Sequence, residues 1–179
     1  ALARESGGSP LLVHELVQFF KTGTDTHALT LDTVLRRRAA RLADDPRRLL
    51  EIVAVSAGPI DPDTASRAAE LPLDRQPGAL DELITQKFVR TVLSGETRRI
   101  EAYHDRIREA IAGSLSEEDR VRNHHRLAIA HKTAGDAGPE ILAFHFDRAA
   151  QSDQAAPYHI EAAAQSSSAL AFDRAAEHI

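Results

Sequence analysis

The stretch EAYHDRIREAI, residues 101 to 111, runs from an alternating, strand-like segment through His104 and Asp105 into an amphipathic helix. A histidine and an aspartate at such a junction are placed to do polar work. The other histidines suggest less. His14-Glu15 opens like a zinc-protease helix, but position 18 is Gln, so the pair of imidazoles that H-E-x-x-H sets on one helical face is missing. His124, His125 and His131 share one long amphipathic segment, and the 124-to-131 spacing puts two of them on the stripe that carries Val121 and Ala128. No carboxylate neighbours them along that stripe, so they read as histidines at the edge of a packed interface, as do His145 and His159. No chemistry is assigned to them.

Nucleotide hydrolysis needs a phosphate cradle, and G-x-x-x-x-G-K-[ST] occurs nowhere among the nine glycines. The kinase set of glycine-rich loop, H-R-D and D-F-G is missing as well. The chain is therefore read as non-catalytic, with no metal site and no cofactor of its own.

The elements that must position these residues are mainly helical. The chain has 179 residues, 42% apolar and only 4% aromatic, and helix formers far outnumber β-branched residues. Cysteine is absent, which excludes disulfides and thiolate metal sites. No run approaches the roughly 18 apolar residues that cross a bilayer, so the expectation is a soluble, cytoplasmic chain without membrane contact. It begins ALARES and ends FDRAAEHI in mid-pattern, with no methionine and no signal-peptide architecture, and is read as a piece of a longer protein. A net charge of −5 argues against DNA as a partner.

Gly7-Gly8-Ser9-Pro10 predicts a break and then a helix over about 10–22, with Pro10 at its first turn. A second amphipathic helix is expected from Leu31 to Leu42, its far face carrying Arg36, Arg37, Arg38 and Arg41 toward solvent or a partner. Asp45-Pro46 and Asp61-Pro62 each read as an N-cap followed by a first-turn proline, and Leu80, Leu83 and Ile84 mark a third helix of the group. FVRTVLS (88–94) and TRRIEAY (97–103), joined at Gly95, predict a β-hairpin. Three helices and a hairpin are the order of a winged helix, the winged relative of the helix-turn-helix. Its third helix, with Asp74, Asp81 and Glu82 against Arg75 and Lys87, is too near neutral to suit a DNA groove. Ser116 then caps a long helix to about Ala134, and Pro139 opens another. The pentapeptide FDRAA occurs at 146–150 and again at 172–176, which suggests tetratricopeptide-like helical repeats, although its spacing differs from their usual period of about 34.

The segments GGSPLLVHELVQFF, DPRRLLEIVAVSAGPID, DELITQKFVRT and YHDRIREAIAGSL follow in the order seen in the C-terminal half of STAND-type signalling ATPases. HHRLAIAH and AFHFDRAAQSDQAAPYHIEAA resemble the helical continuation in large bacterial proteins that join a serine/threonine protein kinase to such an AAA-like ATPase and tetratricopeptide repeats. The resemblance implies a lid segment over 1–43, a winged-helix domain over 44–116 and a tetratricopeptide-like region over 117–179. It also implies that Pro10, supported by Gly8, lies against the adenine and ribose of a nucleotide. Tyr103-His104-Asp105 resembles the Met-His-Asp motif of the NB-ARC class, with Tyr in place of Met, whose histidine meets the β-phosphate of ADP. On that resemblance His104 contacts the phosphate and Asp105 caps the helix or orients the imidazole. Without a ligand, Pro10 simply starts a helix and His104-Asp105 is a cap pair.

The resulting expectation is a regulatory, non-catalytic signalling module that relays nucleotide state. Its partners would be an upstream nucleotide-binding core that holds ATP or ADP in the parent, and proteins bound through the repeats. The alternatives are the same module in an ATP-dependent transcriptional regulator, a winged helix that binds DNA itself, and a passive repeat scaffold.

Overall fold

A computed structural model describes residues 30–176, the side chains as far as 168. The predicted helix over 10–22, Gly8, Pro10 and His14 lie outside the described residues.

The described chain is mainly helical with one two-stranded antiparallel sheet. Helix α1 spans Leu31–Ala39, α2 Asp44–Val55, α3 Pro62–Ala68 and α4 Gln76–Thr85. Strands β1 (Val89–Ser94) and β2 (Thr97–Ala102) follow, then α5 (Asp105–Ala112), α6 (Glu117–Ala134), α7 (Pro139–Arg148) and α8 (Ser152–Ala176).

Helix α2 is the centre of the molecule. Leu49, Leu50, Ile52, Val53, Ala54 and Val55 are all buried, so it is apolar around most of its circumference and packs against α3, α4, α5, α6 and β2. A helix enclosed in this way contributes about 1.5–3 kcal/mol for each large aliphatic side chain removed from water. The cluster it anchors runs from Leu31 and Leu35 of α1 through Ile60, Leu83, Phe88 and Ile100 to Leu127 and Ala130 of α6. One continuous core therefore crosses positions 43/44 and 116/117, where the sequence suggests boundaries. A smaller cluster of Ala128, Phe146 and Ala155, with Tyr158 against it, joins α6, α7 and α8.

The caps follow local chemistry. Asp61 accepts from the backbone N–H groups of Asp63 and Thr64, and Ser116 from that of Asp119, as their positions predict. The expected Asp45 cap is corrected: α2 begins two residues earlier than that cap implies, Ala43 occupies the cap position with no side-chain bond, and Asp44 and Asp45 pair with Arg47 and Arg48 at 2.6 Å each. Pro46 still falls within the first turn, where its missing N–H leaves no bond unmade.

The predicted hairpin forms, each strand one residue shorter at its outer end than the expected 88–94 and 97–103. Val89 faces Ala102 and Ser94 faces Thr97, leaving Gly95 and Glu96 as the turn. Gly95 takes φ 62, the left-handed conformation that a glycine-first two-residue turn requires. Ile60, between α2 and α3, pairs with Ile100 through reciprocal N–H to O bonds of 2.9 and 2.8 Å, adding a one-residue third rung to the sheet.

The arginine face of α1 is corrected in part: Arg36, Arg37 and Arg41 are exposed as expected, but two of the four side chains also dock on neighbouring helices. Arg36 donates to the carbonyl of Ala110 at 3.2 Å, and Arg38 donates to that of Gln86 at 2.8 Å while its guanidinium lies 4.9 Å from the Phe88 ring centroid. These two side chains cap the C-terminal carbonyls of α5 and α4, where a cation meets the negative end of each helix. Asp32 completes the docking through Arg106 of α5 at 3.2 Å.

Candidate functional site

The strand-to-helix junction is built by two backbone bonds and one side chain. Tyr103 leaves β2 with its N–H donating to the carbonyl of Phe88 at 2.9 Å, which fixes the exit of the strand against the entry of β1. His104 is extended, with φ −152 and ψ 146, and its Nδ1 accepts the backbone N–H of Arg106 at 3.2 Å. The histidine is thus the N-cap of α5, a role usually held by Ser, Thr, Asp or Asn. Asp105, expected as cap or orienting group, is instead the first helical residue. Its carboxylate, exposed, reaches Arg108 at 3.4 Å and adds negative charge to the positive end of the helix.

This geometry selects a tautomer. An Nδ1 that accepts a hydrogen bond carries no proton, so in the neutral imidazole the proton sits on Nε2. His104 therefore offers one N–H donor beyond the cap. Beside it lies a cleft of about 290 Å³ lined by Val53, Ser56, Gly58, Glu101, Asp105 and Arg108. Two carboxylates and one guanidinium line that cleft. Arg108 faces Asp105, while Glu101 is held by Arg90 across the hairpin at 2.7 Å. By itself the cleft does not concentrate positive charge for a phosphate.

A larger open groove of about 850 Å³ separates the start of α2 from α4 and shares no residue with that cleft. Its lining is acidic on balance, with Asp44, Asp45, Asp74 and Glu82 against Arg47, Arg48 and Arg75, and Asp45 holds both Arg48 and Arg75. The bond from Arg48 leads the causes that keep the Asp45 carboxyl below its ordinary range.

The histidines left without a role in the sequence come together between α6 and α7. His124 and His145 are buried and meet Nδ1 to Nδ1 at 2.9 Å, and His131 stacks on His145 with ring centroids 5.7 Å apart. A carboxylate does sit beside them, contrary to the sequence reading. Asp136, in the α6–α7 connection, lies 2.7 Å from His131 Nδ1 and accepts from the Thr64 hydroxyl of α3 at 2.7 Å. Burial pushes Asp136 up, but the bonds from His131 and Thr64, with the charges of His131 and Arg99, outweigh it and hold the carboxyl below its ordinary value. Gly135, at φ 66, turns the chain so that a residue just beyond α6 returns to its side. Burial lowers His124 to about 4, helped by Arg148 and Arg120, and lowers His145 to about 3, helped by His124 and His131. Both imidazoles are neutral at pH 7. His125 reaches Gln151 at 2.9 Å and His159 reaches Asp147 at 2.7 Å.

Among the described residues, no group of three or more His, Cys, Asp or Glu could hold a metal ion, and no helix is long and apolar enough to cross a membrane. No family model matches the chain, and no curated protein is significantly similar to it.

Proposed function

We propose that the chain is a non-catalytic regulatory module of a multidomain signalling protein, in which His104 reads the phosphate end of a nucleotide held by another part of that protein. The reading treats 44–116 as a winged-helix unit and 117–179 as tetratricopeptide-like helices. It is supported by the order helix, single-rung strand at Ile60, two helices and hairpin, and by the consecutive packing of α6, α7 and α8 on small residues such as Ala128, Ala143 and Ala155. The parent would be a serine/threonine protein kinase with a STAND-type ATPase region, binding ATP and ADP through an upstream core, with the lid of 1–43 and Pro10 against the base.

The observation that carries the proposal is the cap of α5. His104 spends Nδ1 on the helix and keeps Nε2–H as a donor, the nitrogen a phosphate oxygen would need. The oriented N–H groups at the start of α5 add to that potential. The matched charges of the adjoining cleft mean that most of the phosphate charge would be met by the parent's core. DNA contact is not part of the proposal, because α4 and its flanks carry Asp74, Asp81 and Glu82 against Arg75 and Lys87. In the parent protein with its core present, His104→Leu is expected to speed ADP release; an unchanged release rate refutes the sensor role.

A further inference from the structure

We propose that the His124–His145 contact is an acid-released clasp: it holds α7 and α8 onto α6 at neutral pH and lets them detach as a unit in mild acid, while the core around α2 stays folded.

An N–H to N bond between two imidazoles uses one proton. With both rings neutral, one Nδ1 donates and the other accepts across the 2.9 Å gap. Nε2 of His145 is buried with no partner, so the cheaper arrangement puts the shared proton on His145 Nδ1 and leaves a bare lone pair on Nε2 rather than an orphaned N–H. A first added proton places a cation in a site with little water. A second sets two N–H groups against each other.

The surrounding charges make this worse. From α6 itself come Arg120 and His131, and from α7 Arg148. From α3, Thr64 is turned to Asp136; from β2, Arg99 also acts on Asp136, whose carboxylate is engaged by His131. From α2, Glu51 lies with Asp119 and Arg122 near the start of α6. Asp147, where α8 packs on α7, is bound by His159. The permanently charged groups that act on the pair, Arg120 and Arg148, are cationic.

The unit released would be small. Beyond the imidazoles, the described residues attach α7 and α8 through the cluster of Ala128, Phe146, Ala155 and Tyr158, through buried Leu142, Ala143 and Ala149, through Phe144 against the His124 ring and through the His125–Gln151 bond, a smaller apolar set than the main core. Few buried apolar contacts are what distinguishes a segment that opens locally from one that opens only on global unfolding.

Backbone amide exchange on the full chain, corrected for intrinsic rates, tests this between pH 7 and pH 5. With urea added in small steps, protection of residues 139–155 is expected to fall roughly several-hundredfold through an opening of weak urea dependence, since each of two histidines returning to about 6.5 contributes roughly twentyfold, whereas the amides of α2 exchange through global unfolding with its steeper urea dependence. The double variant His124→Asn/His145→Asn keeps a donor and an acceptor near the Nδ1 positions without a titrating ring, and is expected to abolish the pH-dependent part. Equal pH dependence in that variant, or exchange of residues 139–155 with the same urea dependence as the α2 amides, overturns the clasp. If the variant does not fold, imidazole nitrogen NMR of the natural chain decides. One Nδ1–H and one Nε2–H neutral tautomer at pH 6 is expected, and two rings titrating near 6.5 overturn it.

Discussion

Replacing Ala150 by glycine is expected to stabilise the protein, whereas replacing Gly135 by alanine is expected to destabilise it, although each change involves a single methyl group. Ala150 follows α7 with φ 56, and its N–H and that of Gln151 close the helix onto the carbonyls of Asp147 and Phe146 at 2.9 Å each. This is the paired C-terminal cap in which glycine is the usual occupant. A side chain in the left-handed region costs about 1–2 kcal/mol, partly offset by the lower chain entropy of alanine when unfolded, so Ala150→Gly is worth about 1 kcal/mol. Gly135 has φ 66, and a Cβ added there would meet no atom within 4 Å, so Gly135→Ala isolates the same conformational term with opposite sign. Gly78 supplies the control. It lies inside α4, also with open space around an added Cβ but without a positive φ, so Gly78→Ala is expected to stabilise by about 0.4–1 kcal/mol. Urea denaturation reads all three as midpoint shifts at constant slope, and 1 kcal/mol corresponds to roughly 2–4 °C in Tm for a chain of this size. A Gly135→Ala variant as stable as the natural chain, or a lower midpoint for Ala150→Gly, refutes the reasoning.

Acid is expected to weaken the fold before carboxylates titrate. His124 and His145 are held at about 4 and about 3 against 6.5 when unfolded, so the unfolded chain binds more protons; stability is full above pH 6.5 and declines as pH falls toward 4, by up to about 1.4 kcal/mol per pH unit for each ring. A flat urea midpoint from pH 7 to pH 5 contradicts this. Asp136→Ala leaves His131 Nδ1 and the Thr64 hydroxyl without their shared acceptor and is expected to cost about 1–3 kcal/mol. A double-mutant cycle with Thr64→Val checks it, and additive losses refute the linkage. Arg38→Met removes the donor to Gln86 and the cation over Phe88 and is expected to cost about 1 kcal/mol in the same denaturation assay, with no loss as the contrary result.

What was legible in the sequence was local. Gly95 between two β-rich runs, Asp61 and Ser116 before helical patterns, and Pro139 after a glycine pair each act within a few residues, and each element forms where those signals lie. The sequence marks His104-Asp105 as the start of α5 but leaves open which of the two caps it, because only the extended backbone of His104 shows which side chain faces the N–H of Arg106. Helical periodicity places the arginines of α1 on the outer face, where Arg36, Arg37 and Arg41 are exposed, but it does not say that the ends of α4 and α5 lie within reach of Arg38 and Arg36. The histidine cluster was illegible for the same reason. His124 and His145 are 21 residues apart and meet only where α7 folds back on α6, and Asp136 reaches His131 only through the left-handed turn at Gly135. The FDRAA pentapeptide shows the limit of repeat signals: its first copy ends α7, while the backbone of its second continues α8.

The central claim is that His104 separates two duties, capping α5 through Nδ1 and reading a phosphate through Nε2–H. His104→Asn keeps an acceptor for the Arg106 N–H but lacks a donor at the Nε2 position, whereas His104→Leu removes both. The deciding measurement is ADP dissociation from the parent protein, core included, alongside its unfolding midpoint. His104→Asn is expected to hold its stability while releasing ADP several-fold faster, and His104→Leu to release ADP as fast and also to lose about 1 kcal/mol from the lost cap. ADP release at the natural rate in His104→Asn would contradict the claim.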